Sequence, residues 1–211
     1  MAYVKTENLK FQYPNGKVIS FADISIGEKQ SWLLTGNSGS GKTTLLHLMA
    51  GILSPSSGTI AVANTTLNTL KPTQLDTFRA QHIGLVFQKS HFIDAINMHR
   101  NLVYFAQLSG QKIHPDYLTN LFSDLDITSL SMKKPSQLSS GELQRFSIAR
   151  AMINQPSIIL ADEPTSSLDD DNCKRVTKLL LDIGKAYGVT LVVSTHDARL
   201  KSEFDNTIKL N

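Results

Sequence analysis

Apolar residues in this 211-residue chain fall into short clusters, and their spacing changes along its length. Residues 3–11 and 18–26 are rich in β-branched and aromatic positions and flank Tyr13, Pro14, Asn15 and Gly16, a turn-forming run, so they predict a hairpin. Residues 31–35, SWLLT, predict a buried strand, and 44–50 a helix. A turn over 53–58 precedes a strand over 59–63. Residues 72–80 predict a helix with Thr69 as its cap, and the apolar run 83–87 a strand ending at Gln88. From 89 to about 137 the pattern turns helical, with apolar residues at mixed three and four spacings over 101–108 and 116–125. The next helix, 141–153, carries Leu143, Phe146, Arg150 and Ile153 on one side and stops at Asn154, Gln155 and Pro156. Residues 157–161, SIILA, and 191–193 are continuous apolar runs of the kind buried on both faces of a parallel sheet. Between them, 172–186 places Cys173, Val176, Leu180 and Ile183 on one helical face. Strand, helix, strand makes this an α/β chain.

The densest chemistry sits at residues 36–44, GNSGSGKTT. Gly36, Gly41, Lys42 and Thr43 complete G-x-x-x-x-G-K-[ST], between a predicted strand and a predicted helix, which is the context a phosphate-binding loop requires. Glycines at 36, 39 and 41 let the backbone around Asn37, Ser38 and Ser40 curl with its N–H groups inward, and the helix start at Thr44 adds its own. Lys42 suits the β and γ phosphates, and the Thr43 hydroxyl suits magnesium. A second cluster follows SIILA: Asp162 and Glu163 stand at the carboxyl end of a buried strand, where open α/β sheets place ligands. Asp162 is suited to hold magnesium and Glu163 to take a proton from an attacking water. The expected ligands are a nucleoside triphosphate and Mg2+.

Composition narrows the classes. A chain of this length buries roughly 70% of its unfolded surface without a metal or disulfide staple. Cys173 is the single cysteine, so no internal disulfide forms, and its polar neighbours mark it as an inert thiol. The start, MAYVKTENLK, lacks the apolar core of a signal peptide, and no run reaches the roughly 18 apolar residues of a membrane span. The protein is expected to be soluble by itself. With 21 basic against 18 acidic residues, the net charge of +3 describes an ordinary solvated surface, and no nucleic-acid partner is expected.

Leu138, Ser139, Ser140, Gly141 and Glu142, continuing into Leu143, Gln144 and Arg145, resemble the LSGGQ signature of ATP-binding cassette (ABC) ATPases. The order matches as well: phosphate loop, Gln88, signature, Asp162-Glu163, then Ser166-Ser167-Leu168-Asp169, resembling the D-loop, and His196, resembling the switch histidine. Tyr13 falls where that family places an aromatic on adenine. The resemblance covers essentially the whole chain. It implies an ABC cassette: one domain over 1–211, with a mixed-sheet core and an N-terminal antiparallel β subdomain from 1–88 and 139–211, and a helical subdomain over 89–138. It implies ATP as substrate and ATP hydrolysis. Two cassettes, a homodimer in the simplest case, pack head to tail, bringing Ser139 and Gly141 of one to the γ-phosphate held by the other. Gln88 approaches magnesium and the attacking water, Asp169 belongs to the dimer-facing loop, and His196 bonds the γ-phosphate. A separate integral membrane permease then holds the cassette on the cytoplasmic face of the cell membrane.

Residues 75–88, LDTFRAQHIGLVFQ, are similar to the lipoprotein-release and macrolide-export cassettes. Arg100 departs from them, standing where they usually carry Glu before Asn, which predicts an acidic coupling element in the membrane partner. Ser140 and Glu142 replace a signature glycine and glutamine. Ser140 adds a Cβ where a backbone meets phosphate, so a slower or looser composite site is expected. With the sequence ending at Asn211, soon after the last expected strand, no regulatory domain is expected. A soluble ABC-type ATPase of DNA maintenance is the alternative class, but such proteins usually carry long coiled coils or zinc-binding cysteines, and neither pattern is present. A non-transport nucleotide switch is the other, against which stand Lys42, Asp162, Glu163 and His196.

Overall fold

β1 (Ala2–Gln12) is the spine of an antiparallel sheet and pairs with three strands. Its outer end pairs with β2 (Val18–Ser20), its inner end with β3 (Ile24–Gly27). The single strand expected over 18–26 is thus two strands. The cause is local: Asn8 sits at φ 49°, which bends β1, and its N–H donates to Asp23 Oδ1 at 2.7 Å. The computed structural model describes residues 2–14, 16–110 and 113–210, so Asn15 of the expected turn and Gln111 and Lys112 of the helical stretch lie outside the described residues, as do Met1 and Asn211.

β4 (Ser31–Thr35) leads into α1 (Lys42–Met49), which starts two residues ahead of the predicted helix because Gly41 turns the chain directly into it. β5 (Ser57–Val62) runs antiparallel to β1, and the two-residue β6 (Thr65–Thr66) closes that sheet. α2 (Pro72–His82) is not capped by Thr69, whose hydroxyl donates to Thr66 O at 2.8 Å; Lys71 holds the cap position, its N–H bonded to Gln74 Oε1. β7 (Ile83–Val86) is followed by α3 (Met98–Leu108) and α4 (Pro115–Asp124). Both helices begin at strong start signals, Asn97 as a side-chain cap and Pro115 in the first turn. α5 (Ser140–Met152), β8 (Ile158–Asp162), α6 (Asp170–Ala186) and β9 (Thr190–Thr195) follow. β10 (Asn206–Lys209) was not anticipated from its polar sequence, NTIK, which fits an edge strand.

The second sheet has the order β10, β4, β9, β8, β7, with every neighbour parallel. The mixture of strand senses expected in an α/β cassette is therefore divided between two sheets. Alternation along the parallel strands separates two cores. Leu33, Ile159, Leu191 and Val193 face α5 and α6, while Leu34, Ile158, Leu160 and Val192 face α1 and the antiparallel sheet. Because all five strands run the same way, their carboxyl ends share one edge, and the segments after β4, β8 and β9 emerge side by side.

Candidate nucleotide site

Register decides which side chains meet at that edge. Ser194 of β9 lies opposite Leu34 of β4 on one side and Asp162 of β8 on the other. The loop after β4 turns into α1 through Gly41 at φ 92°, a left-handed conformation that glycine adopts without a Cβ penalty. Gly36 is glycine for a different reason: a Cβ there would come within 2.5 Å of Ser40 Oγ and 2.8 Å of Leu210 O.

The edge opens into a cavity of about 560 Å³ lined by the loop from Gly36 to Thr44, apart from Ser40, and by Tyr13, Ile19, Glu163 and His196. Lys42 is 7% exposed, and its Nζ donates to the Gly36 and Asn37 carbonyls at 2.9 and 3.1 Å. It lies 3.9 Å from Glu163 Oε1. Glu163 sits in the left-handed region at φ 48°, held there by its N–H bond to Ser194 O at 3.0 Å. Its Oε1 lies 2.8 Å from His196 Nδ1, and its Oε2 is buried with no hydrogen-bond partner. The Glu163 carboxylate thus stands at the cavity wall between a lysine and a histidine, where a carboxylate can take a proton.

Asp162 accepts from Thr43 Oγ1 at 3.1 Å and from Ser194 Oγ at 2.5 Å. A hydroxyl and a carboxylate oxygen converging at that distance are the hard donors that fit magnesium, which takes one or two protein oxygens and completes its shell with substrate phosphates and water. Among the described residues no cluster of three or more His, Cys, Asp or Glu is placed to hold a metal.

Tyr13 is 43% exposed at the cavity mouth, its hydroxyl 2.9 Å from Thr44 Oγ1 and its ring edge-on to Phe11 at 4.7 Å. Gln88 does not line this cavity. Its Nε2 donates to Ser166 Oγ at 3.2 Å, and it lines an adjoining cleft with Ser140, Gln144 and Ser167. The Ser140 side chain, the departure from the signature pattern, is therefore accommodated in that cleft. Ser139, Gly141 and Asp169 also stand apart from the cavity. Ser139 caps α5 and Asp169 caps α6, and the two helix starts touch: Asn172, bonded to Asp169, occupies the space beside Gly141, where a Cβ would lie 3.0 Å from its Oδ1.

Next to His196, Arg199 Nε donates to Asp197 Oδ2 at 2.7 Å and the guanidinium also pairs with Asp170. That bond holds the Asp197 carboxyl below the usual carboxylate range. The segment carrying His196 is thereby tied to the start of α6. Sequence reasoning missed Ser194 and Ile19. Ser194 orients Asp162 only through strand register, and Ile19 reaches the cavity only through the hairpin, so neither carries a local signal.

The sequence profile of the family described as ABC transporter matches residues 19–166. The chain is 36% identical over 197 residues to the lipoprotein-releasing system ATP-binding protein LolD of Colwellia psychrerythraea, covering 92% of this chain and 76% of that one. It is 33% identical to LolD of Bacteroides thetaiotaomicron, covering 98% and 96%. Among solved structures, the dimeric post-hydrolysis state of the ATP-binding cassette MJ0796 bound to ADP and Pi superimposes with a TM-score of 0.85 at 30% identity, covering 99% of this chain and 94% of that one. The CbiO1 subunit of the CbiONQ transporter complex from Clostridium perfringens superimposes with a TM-score of 0.89 at 26% identity, covering 100% and 85%. With Lys42, Glu163 and His196 on one cavity, these likenesses settle the assignment: the chain belongs to the ABC transporter family and is an ATP-hydrolysing cassette.

Proposed function

We propose that this cassette binds Mg-ATP at the phosphate loop, closes head to tail with a second copy around two ATP molecules, and drives a separate integral membrane subunit of the lipoprotein-release type. The observation that carries the reading is that Lys42, Thr43, Glu163 and His196 line one cavity, with Asp162 bonded to Thr43, while Ser139 and Gly141 stand outside it. A site with its nucleophile-activating half and its signature half on different surfaces is completed by another copy. The dimeric cassette held with ADP and Pi supports that arrangement, and the LolD relatives support the subfamily.

In this reading Gly36, Asn37, Ser38, Gly39, Ser40, Gly41 and Thr44 cradle the phosphates with backbone N–H groups, and the Lys42 ammonium leaves its two loop carbonyls for the β and γ oxygens. Tyr13 stacks on the adenine. Thr43 and Asp162, with Gln88 approaching from the adjoining cleft, hold magnesium, which neutralises phosphate charge. The Glu163 carboxylate accepts the proton of the attacking water, and His196 fixes it through Oε1 while reaching the γ-phosphate. Ser139, Gly141 and the Asp169 loop come from the second copy.

No helix among the described residues is long and apolar enough to cross a membrane. The LolD relatives support a cassette held at the cytoplasmic face by its membrane partner. Arg100, exposed at the start of α3, supports an acidic coupling element in that partner. An Arg100→Glu exchange that left the membrane subunit bound would count against it.

The composite site is tested with a Glu163→Gln chain. Mg-ATP is expected to convert it from monomer to dimer in sedimentation velocity. Adding Ser139→Phe is expected to abolish the dimer while the monomer still binds ATP. A Glu163→Gln chain that stays monomeric at saturating Mg-ATP contradicts the reading.

A further inference from the structure

We propose that Glu142 sets the ATP concentration at which two copies close, because its carboxylate places a negative charge beside the Ser139 hydroxyl that the γ-phosphate of the opposing copy has to recruit. The inference rests on the composite-site reading above and adds to it a residue that opposes closure.

The geometry is specific. Ser139 Oγ donates to Glu142 Oε2 at 2.8 Å, and Ser139 N–H donates to the same oxygen at 2.7 Å. The Glu142 N–H returns a bond to Ser139 Oγ at 3.3 Å. This reciprocal cap is favourable for α5, since it satisfies backbone donors and places negative charge at the positive end of the helix. It also commits the hydroxyl proton of Ser139 to an anion that belongs to the same chain.

An arriving γ-phosphate therefore meets a like charge beside that donor. Lys133 and Arg145 both act on that charge, but neither forms a direct ion pair with it, and Arg145 is paired with Asp126 at 2.8 Å. A second carboxylate, Asp169, lies across Gly141 through Asn172. Both Ser139 bonds hold the Glu142 carboxyl below its usual range, so it stays ionised throughout the neutral region. A glutamine at this position accepts the same two bonds through its amide oxygen and keeps the cap, but brings no charge. The carboxylate thus gives a tight helix start at the expense of phosphate affinity.

The test is an ATP titration of dimer formation in the Glu163→Gln chain, compared with the same chain carrying Glu142→Gln or Glu142→Asp. Removing one repulsive charge near a protein surface is expected to lower the half-maximal ATP concentration on the order of tenfold. Glu142→Asp, which keeps the charge, is expected to leave the requirement high. Raising salt from about 0.05 M to about 0.5 M is expected to narrow the gap between Glu and Gln, because screening weakens the repulsion; a purely structural cap would not produce that dependence. If Glu163→Gln alone fails to dimerise, the composite-site reading falls and this inference with it. If it dimerises and Glu142→Gln leaves the ATP requirement unchanged or higher, the inference alone is overturned.

Discussion

Thr43 and Asp162, 119 positions apart in sequence, meet through a hydrogen bond from Thr43 Oγ1 to Asp162 Oδ1 at 3.1 Å, and Ser194 Oγ donates to the same carboxylate oxygen. Two strand ends and the first turn of α1 therefore fix the position of one candidate magnesium ligand. Ser194→Ala removes the fully buried donor that orients Asp162. Turnover is expected to fall about tenfold and the magnesium requirement to rise, as for other residues that orient metal ligands. A magnesium titration of phosphate release checks this, with unchanged ATP binding in its absence as the control.

Gly41 and Gly39 both hold positive φ, 92° and 80°, but only Gly41 is crowded. A Cβ at Gly41 lies 3.2 Å from the Phe21 ring, whereas one at Gly39 meets nothing within 4 Å. Gly39→Ala is expected to cost about 1–2 kcal/mol of backbone strain, and Gly41→Ala more than that. Thermal unfolding of the two variants ranks them, and equal losses would contradict the contact argument.

Tyr13 makes two separable contributions. Tyr13→Phe keeps the ring against Phe11 and loses only the bond to Thr44, so ATP affinity is expected to stay within a few-fold, consistent with about 1 kcal/mol for one hydrogen bond. Tyr13→Ala is expected to weaken ATP binding about tenfold, the scale of base–aromatic stacking, while leaving tripolyphosphate binding unchanged. Equilibrium binding with both ligands separates base from phosphate recognition.

Glu142, Asp169 and Asp197 are all held below their ordinary carboxyl values by hydrogen bonds, from Ser139, Asn172 and Arg199 respectively. Each binds its proton less readily folded than unfolded. Their stabilisation is therefore fully present above the unfolded values, 4.5 for Glu142 and 3.8 for the two aspartates, and is lost as pH falls through the lower folded values. The melting temperature is expected to be flat from pH 8 to about pH 5 with respect to these groups, and to drop below about pH 4. Arg199→Gln is expected to shrink the acid-side drop, because Asp197 then titrates nearer its unfolded value.

The contributions that were legible in the sequence are those made by contiguous residues. SWLLT followed by GNSGSGKTT specifies strand, loop and helix without help from elsewhere, and SIILA followed by Asp162 and Glu163 specifies a buried strand with its carboxylates at the exit. The order of the remaining motifs identified Gln88 and His196 as site candidates, though not that Gln88 would bond Ser166 in a cleft of its own. What was hidden depends on tertiary pairing. Ser194 acquires its task from lying opposite Asp162 across two strands. The split of β2 from β3 follows from a left-handed Asn8 that no propensity announces, and β10 is a strand because β4 offers it an edge. Lys71 took the cap position from Thr69 because Pro72 fixes the first turn one residue later.

The most direct measurement of the central claim is phosphate release from Mg-ATP by the purified chain beside its Glu163→Gln variant, with ATP binding measured on both. General-base loss is expected to reduce release at least about a hundredfold while ATP binding is retained. Equal release by the two chains would show that the Glu163 carboxylate, placed between Lys42 and His196, does not activate the water, and would contradict the account.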